Sequence, residues 1–251
     1  MLFDPIQIRT LSLANRTVMS PMTRSRAVEA NTPNALMAEA DIAHAVGEYA
    51  KSATLAIQAG FDGIELHAAN GYPIEQFLNA NVNQRTDRYG GSPENRNRFA
   101  LEVARATTAA IGANKVGIRL SPYGVFNGTG PFADVDAQYK ALAEGLSSLG
   151  LLYVHVLDHS AIGAPAVPAE IKTALRAAFD GPFILAGGFD HGSAEKALQD
   201  KQADLVAFGR PFLANPDLVA RMKTDAIMNE LDMDSFYTPG AKGYTDYPAQ
   251  A

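Results

Sequence analysis

Residues 64 to 72 read IELHAANGY. An apolar run ends, and His67, Asn70 and Tyr72 follow within six positions. Gly71 lets the chain curl between them. A curled H-x-x-N can aim both side chains at one oxygen and so polarise a carbonyl, and a phenol nearby can deliver a proton. The plain alternative is a histidine satisfied by a backbone carbonyl and a tyrosine packed with its hydroxyl in water. For a lone histidine that alternative is the better one. Three polar groups leaving one strand end together favour chemistry.

Other chemistry-bearing residues stand at the ends of other apolar runs. Arg119 lies inside VGIRLSP, where an arginine is costly unless an anion or a strong acceptor meets it. A structural ion pair would suffice, but an anionic ligand above the strand end fits the position better. Gly187-Gly188 and Gly209-Arg210 close two later runs. Glycines expose backbone N–H groups and arginine forks to phosphate, so the pair of sites suggests a phosphate cradle. The stretch NQRTDRYGGSPENRNRF (83–99) is dense in charge and reads as a solvated loop with ion pairs that scaffolds the rim. His155 sits mid-strand and reads as core. His159 follows Asp158 at a strand exit, where function is the lesser expectation. His44 and His191 look like surface or capping residues, and no pair of histidines has metal-ligand spacing.

These residues need a frame. Six runs have strand character: 17–23, 63–68, 116–122, 151–157, 182–188 and 204–210. Amphipathic helices lie between them. Ile42, Val46, Tyr49, Ala53 and Ala56 share one helical face ending near Gly60, and Val135, Tyr139, Leu142, Leu146 and Leu149 share another between Asp134 and Gly150. Ser92-Pro93 and Asn215-Pro216 look like N-cap and first-turn proline pairs. Strands apolar on both faces, each followed by a helix, predict a parallel sheet covered by helices. No G-x-G-x-x-G follows the first strand, which argues against a dinucleotide-binding sheet. Polar residues at so many strand C-termini favour a barrel rim: Thr23, His67, Ser121, Asp158, Gly187 and Arg210.

The 251 residues, 47% hydrophobic, suit a single barrel domain over 1–251. With 21 basic against 27 acidic side chains and a net charge of -6, general attraction to nucleic acid or anionic membrane is not expected. The absence of cysteine excludes disulfides, thiolate zinc sites and a thiol nucleophile. It fits a cytoplasmic location, as does a start, MLFDPIQIRT, without signal-peptide character. The apolar runs are far short of a membrane span.

Six stretches together resemble the Old Yellow Enzyme family of FMN-dependent ene-reductases: SPMTRSRA (20–27), GFDGIELHAANGYPIEQFLNANVNQRTDRYGGSPENRNRF (60–99), VGIRLSPYGVFN (116–127), AGGFD (186–190), FGRPFLANPDL (208–218) and GYTDYP (243–248). The resemblance implies a TIM-type (β/α) barrel with FMN as cofactor and NADH or NADPH as reductant. The implied substrate is a small electrophilic alkene, an α,β-unsaturated carbonyl or nitro compound. His67 and Asn70 would hydrogen-bond the substrate oxygen. Tyr72 would protonate the alpha carbon while flavin N5 gives hydride to the beta carbon. Thr23 would hydrogen-bond the flavin ring, with Pro21 and Met22 beside it. Arg119 would offset charge at N1 and the C2 carbonyl. Gly187, Gly188, Gly209 and Arg210 would hold the phosphate, and Tyr237 would border the substrate pocket.

The chain departs from the family in one respect. The family barrel has eight strands, and six are legible here. Only 40 residues run from Arg24 to Gly63. One βαβ unit takes roughly 30 residues or more, so the second and third family strands and the second helix have no room. The join falls near Ala40-Asp41. The expectation is an incomplete barrel of about six parallel strands. The strand ending at Thr23 and the strand ending near Ala68 would be joined by a helix from about Asp41 to Ala59 and kept apart by a gap. Unpaired edges would invite self-association and weak flavin retention. A catalytically silent remnant is therefore the second reading. A phosphate-handling aldolase-type barrel is a distant third, because no lysine stands at a strand end.

Overall fold

The computed structural model describes residues 1–9, 11–19 and 37–250. The chain opens with a hairpin that the sequence does not announce. β1 (Ile6–Ile8) and β2 (Leu11–Leu13) pair antiparallel, with Ile6 opposite Leu13. Three-residue strands are too short to show a period.

A parallel sheet follows. Its strands are β3 (Thr17–Met19), β4 (Ile64–Ala68), β5 (Val116–Leu120), β6 (Tyr153–Leu157), β7 (Phe183–Ala186) and β8 (Leu205–Phe208). Their order across the sheet is β3-β8-β7-β6-β5-β4, every pair parallel. All six expected strands are present, each shorter than its run. The part of the first run beyond Met19, with Pro21, Met22 and Thr23, lies outside the described residues. β3 and β4, consecutive among these strands, end up on opposite edges and do not pair with each other among the described residues. Among the described residues the wall is therefore a curled, open barrel of six strands with a gap between β3 and β4.

Among the described residues, one helix, α1 (Glu39–Gln58), lies between β3 and β4 in the chain. It runs straight through the Ala40-Asp41 join, which lies in its first turn. The Asp41 carboxylate accepts from the Ala38 N–H at 2.9 Å, and Gly60, at φ 96°, ends the helix. Ile42 and Ala53 are buried, and Tyr49 meets Phe99 edge-on with ring centroids 6.4 Å apart. That contact seats α1 against α3 (Pro93–Ile111), whose N-cap Ser92 accepts from the Asn95 N–H. Between them in sequence comes α2 (Pro73–Leu78), a six-residue helix with Tyr72 at its N-cap.

α4 (Val135–Ser148), α5 (Ala169–Ala178) and α6 (His191–Gln199) complete the alternation. α7 (Arg210–Ala214) and α8 (Leu218–Lys223) follow β8. Asp134 occupies the N-cap position of α4, but its side chain makes no cap bond there; its carboxylate stands 3.8 Å from Arg96. Asn215-Pro216 does not start a helix. α8 begins two residues later, because the Asn215 side chain is spent on the Pro211 carbonyl and the Asn229 N–H.

The core has two sides. Leu66, Ile118, Leu120, Val154, Val156, Phe183 and Leu185 face outward into the helical layer. Ile184, Ala186, Leu205 and Ala207 face inward and pack on Ile8 and Leu152, so the hairpin plugs the barrel floor. Burying such side chains contributes roughly 1.5–3 kcal/mol each. The inward side of β4, β5 and β6 is polar instead. In register, His67 stands beside Arg119 and Arg119 beside His155.

Candidate active site

The turn after β4 is built from two consecutive left-handed residues, Asn70 at φ 60° and Gly71 at φ 70°. Asparagine tolerates this region better than most side chains, and glycine adopts it freely. At position 71 there is no alternative to glycine. A Cβ there would lie 2.3 Å from the Phe126 carbonyl oxygen and 2.6 Å from the Asn127 Cβ. The turn is clamped from both sides. The Asn70 N–H donates to Ser121 Oγ at 2.8 Å, and Asn127 Nδ2 donates to the Asn70 carbonyl at 2.7 Å. The result puts Tyr72 beside His67, ring centroids 4.9 Å apart. The Asn70 Oδ1 is buried with no protein partner, an orphaned polar atom at the wall of a cavity.

That cavity holds about 780 Å³. Its lining brings together Asn70, Tyr72, Arg119, Gly187, Gly188, Gly209, Arg210 and Tyr237, which lie far apart in sequence. His67 is not itself a lining residue; it stands beside Tyr72, which is. Apolar and aromatic groups from the C-terminal segment, Leu231, Met233, Phe236 and Tyr244, complete the walls with Phe126. Such a space, apolar with a few convergent polar groups, suits a flat organic ligand.

Electrostatics divides the site. Burial, helped by the Arg119 charge, pushes the His67 imidazole down to about 4. It is neutral at physiological pH and can donate one hydrogen bond without carrying charge. Arg119 is 5% exposed, and burial lowers its pKa against the opposing pull of Glu65. Burial would raise the Glu65 carboxyl, but a hydrogen bond from His155 and the charges of His155 and Arg119 hold it below its ordinary value. His155, pushed down by burial, joins Glu65 through Nδ1 at 2.9 Å. The arginine under the cavity is thus balanced by one acid on the neighbouring strand. His155 is core, as its position implies, with no exposed surface.

At the far side Gly187 and Gly188 have φ 134° and 68°. A Cβ on Gly188 would sit 2.5 Å from the Ala161 Cβ, so backbone is kept bare where β7 ends. Gly209 precedes α7, and Arg210 Nη2 donates to the Ala161 carbonyl at 3.4 Å. These groups fit a phosphate-bearing cofactor: a bare backbone cradle, a half-buried arginine at its mouth, and a second arginine beneath the cavity.

Sequence reasoning passes over three features. The 83–99 stretch is not a solvated loop. Arg85, Tyr89, Arg96 and Asn97 are buried. Asn83 Nδ2 donates to the Phe77 and Tyr89 carbonyls, and Arg85 Nη1 donates to the Met37 carbonyl at 2.7 Å. Polar side chains are buried here because they satisfy main-chain carbonyls. His159, given little weight, lines the cavity with its ring 4.6 Å from Phe126. Burial holds it down to about 4. The third feature is Glu75, 1% exposed beneath the Asn70–Tyr72 turn. Its one sequence signal is a carboxylate in PIEQF directly after the H-x-x-N-G-Y run.

An open parallel barrel, carrying a polar turn and a glycine-lined, arginine-flanked cavity wall on one rim, is the frame of a cofactor-dependent barrel enzyme. The chain belongs to the FMN-dependent NADH:flavin oxidoreductase / NADH oxidase family, whose model matches residues 29–229. It is 40% identical over 252 residues to putative 12-oxophytodienoate reductase 11 of Oryza sativa subsp. japonica, covering 98% of this chain and 68% of that one. It is 39% identical to 12-oxophytodienoate reductase 2 of Arabidopsis thaliana, covering 98% and 67%. A solved structure of morphinone reductase in complex with tetrahydroNAD superposes with a TM-score of 0.90 at 29% identity, covering 100% of this chain and 98% of that one. The Old Yellow Enzyme resemblance is borne out. The chain spans about two thirds of the length of the two plant reductases, in keeping with a shortened barrel.

Proposed function

We propose that the chain reduces an electron-poor carbon–carbon double bond conjugated to a carbonyl or nitro group, with NADH or NADPH as the source of reducing equivalents. The observation that carries this reading is the shared cavity, in which Asn70 and Tyr72 face the same space as Arg119 and the two glycine cradles. FMN, when bound, supplies the hydride. Gly187, Gly188, Gly209 and Arg210 would hold its phosphate and Arg119 would lie against its ring. Pro21, Met22 and Thr23, implied by the resemblance to hold the flavin edge, lie outside the described residues.

The chain's own residues orient the acceptor and move the proton. Neutral His67 and the Asn70 amide donate to the substrate oxygen and draw electron density from the double bond. Tyr72, on the same turn, delivers the proton to carbon. The aromatic walls, Phe126 and Tyr237 among them, exclude water and hold a flat ligand in place. Anaerobic mixing of the FMN-loaded protein with NADH or NADPH, then with cyclohexenone or a nitroalkene, tests the reading. Bleaching by the nicotinamide and recovery on adding the alkene support it. Bleaching with no recovery by any electron-poor alkene overturns it.

A second reading has its own support. β3 and β4 end the sheet on either side without a further strand partner among the described residues. Met19, on β3, is 56% exposed. Bare edges favour association of copies and a loosely held cofactor. Size-exclusion chromatography followed at protein and flavin wavelengths separates the two. A yellow monomer at full FMN occupancy removes the second reading.

A further inference from the structure

We propose that Glu75 is a positioning residue whose carboxylate fixes the Asn70–Gly71–Tyr72 backbone and so aims the polar groups of that turn into the cavity. The inference rests on the reading of this turn as the reducing site.

Three donors converge on Glu75. The Gly71 N–H donates to Oε2 at 2.5 Å and Ser121 Oγ donates to Oε1 at 2.7 Å. The Tyr139 hydroxyl lies 3.4 Å from Oε1. Ser121 Oγ also accepts from the Asn70 N–H, so the carboxylate ties down two successive peptide groups, one directly and one through a hydroxyl. Gln76 Nε2 donates to the Gly71 carbonyl and closes the frame from the same helix. This scaffold holds two left-handed residues in a row, a backbone that persists only where its surroundings over-determine it.

The chemistry of the carboxyl matters. An ionised carboxylate is acceptor-only and satisfies three donors at once. A proton on it turns one acceptor into a donor that faces donors, and a tie is lost. The groups facing it are Ser121 from the exit of β5, Tyr139 from α4, Gln76 from α2 and the turn itself. Among the described residues, Tyr139 is the one titratable group facing it, and no cation bonds to the carboxylate. Burial without a counter-charge pushes Glu75 up to about 7. Both forms are therefore populated near neutrality, and the turn tightens as pH rises.

Wild type and Glu75→Gln, both FMN-loaded, are compared at pH 6 and pH 8. Hydrogen exchange of peptides spanning 68–78, corrected for intrinsic rates, reads the turn directly and needs no turnover. Protection in wild type is expected to rise about tenfold across this interval and to stay level in the variant. Single-turnover oxidation of the reduced enzyme by cyclohexenone should quicken with pH in wild type alone. Reduction by the nicotinamide should match in the two proteins. A purely structural role would lower thermal stability and leave both pH responses in place, which overturns the proposal. If no alkene oxidises the enzyme while the exchange contrast holds, Glu75 positions the turn and the functional reading fails instead. Should Glu75→Gln not fold, Ser121→Ala removes the relay and keeps the carboxyl. Selective loss of protection at the Asn70 amide then supports the proposal, and unchanged protection overturns it.

Discussion

Glu75→Gln also measures what a buried carboxylate costs this fold. The Glu75 carboxyl titrates at an ordinary 4.5 when unfolded and at about 7 when folded, raised by burial against the opposing bonds from Gly71, Ser121 and Tyr139. Between those values the folded chain holds more protons than the unfolded chain. Stability towards global unfolding, which exposes the carboxyl, therefore falls as pH rises through this interval, whereas local opening of the turn leaves the carboxyl buried and follows its hydrogen bonds instead. The contribution is fully present below about 4.5 and gone above about 7. At about 1.4 kcal/mol per pH unit it amounts to about 3 kcal/mol, most of it between pH 5 and pH 8. Wild type alone would hide this. His67 and His159, both held down to about 4 by burial, bind fewer protons folded than unfolded, so their terms run the other way. The difference between wild type and Glu75→Gln cancels them. Urea denaturation at half-unit steps of pH, with slopes compared, gives the two curves. Their separation should shift towards the variant by roughly 2–3 kcal/mol from pH 5 to pH 8. Parallel curves would show that the carboxyl is not buried in the charged state, and the reasoning would collapse.

Three further outcomes follow from the site. Tyr72→Phe should slow alkene reduction on the order of a hundredfold and spare flavin reduction by the nicotinamide; stopped-flow traces of the two half-reactions decide, and equal slowing of both removes the proton-donor role. His67→Ala should weaken binding of a phenol to the FMN-loaded protein by roughly tenfold, read from the long-wavelength charge-transfer band, since a neutral donor is lost; unchanged affinity would mean that His67 does not face the ligand. Gly71→Ala should cost about 2 kcal/mol or more in urea denaturation, because φ is 70° and the new Cβ meets the Phe126 carbonyl; a change below about 0.5 kcal/mol would show that the turn relaxes freely.

What could be read in the sequence was what repeats locally. Alternating helices and doubly apolar strands exposed the six-stranded wall, and the gap followed from counting residues between Arg24 and Gly63. The turn at 67–72 stood out because three functional groups and a glycine share it. The hairpin did not, since Ile6–Ile8 and Leu11–Leu13 give three residues each. α2 was missed for a different reason. Ile74, Glu75, Gln76, Phe77 and Leu78 are all buried, so the helix has no polar face to mark its period. Glu75 is hard to read in sequence, because two of the three donors that make its burial tolerable lie 46 and 64 residues away. The same holds for Asn97, which donates to the Gln138 carbonyl, and in part for Arg85, which donates to the distant Met37 carbonyl as well as to its near neighbour Asp87.

The location of the gap explains how a reducing site could outlast the loss of two strands. β4 carries the polar turn and is itself an edge, so everything on its missing side is gone. Yet the ties on the turn run the other way. Asn70 is held by Ser121 at the exit of β5 and by Asn127 in the loop beyond, Gly71 by α2, and the Glu75 carboxylate by Ser121 and by Tyr139 of α4. The charge balance beneath the cavity follows the same side, with Glu65 of β4 set against Arg119 of β5 and His155 of β6. The phosphate cradle sits on β7 and β8, paired strands in the middle of the wall. Among the described residues, the ties that position the turn therefore all come from segments on the retained side of the gap. What the deletion can remove is wall around the cavity and partners for the edges of β3 and β4. On the proposed reading, a loss there would fall on cofactor retention and assembly, while the groups proposed to deliver the proton are held by residues that are still in place.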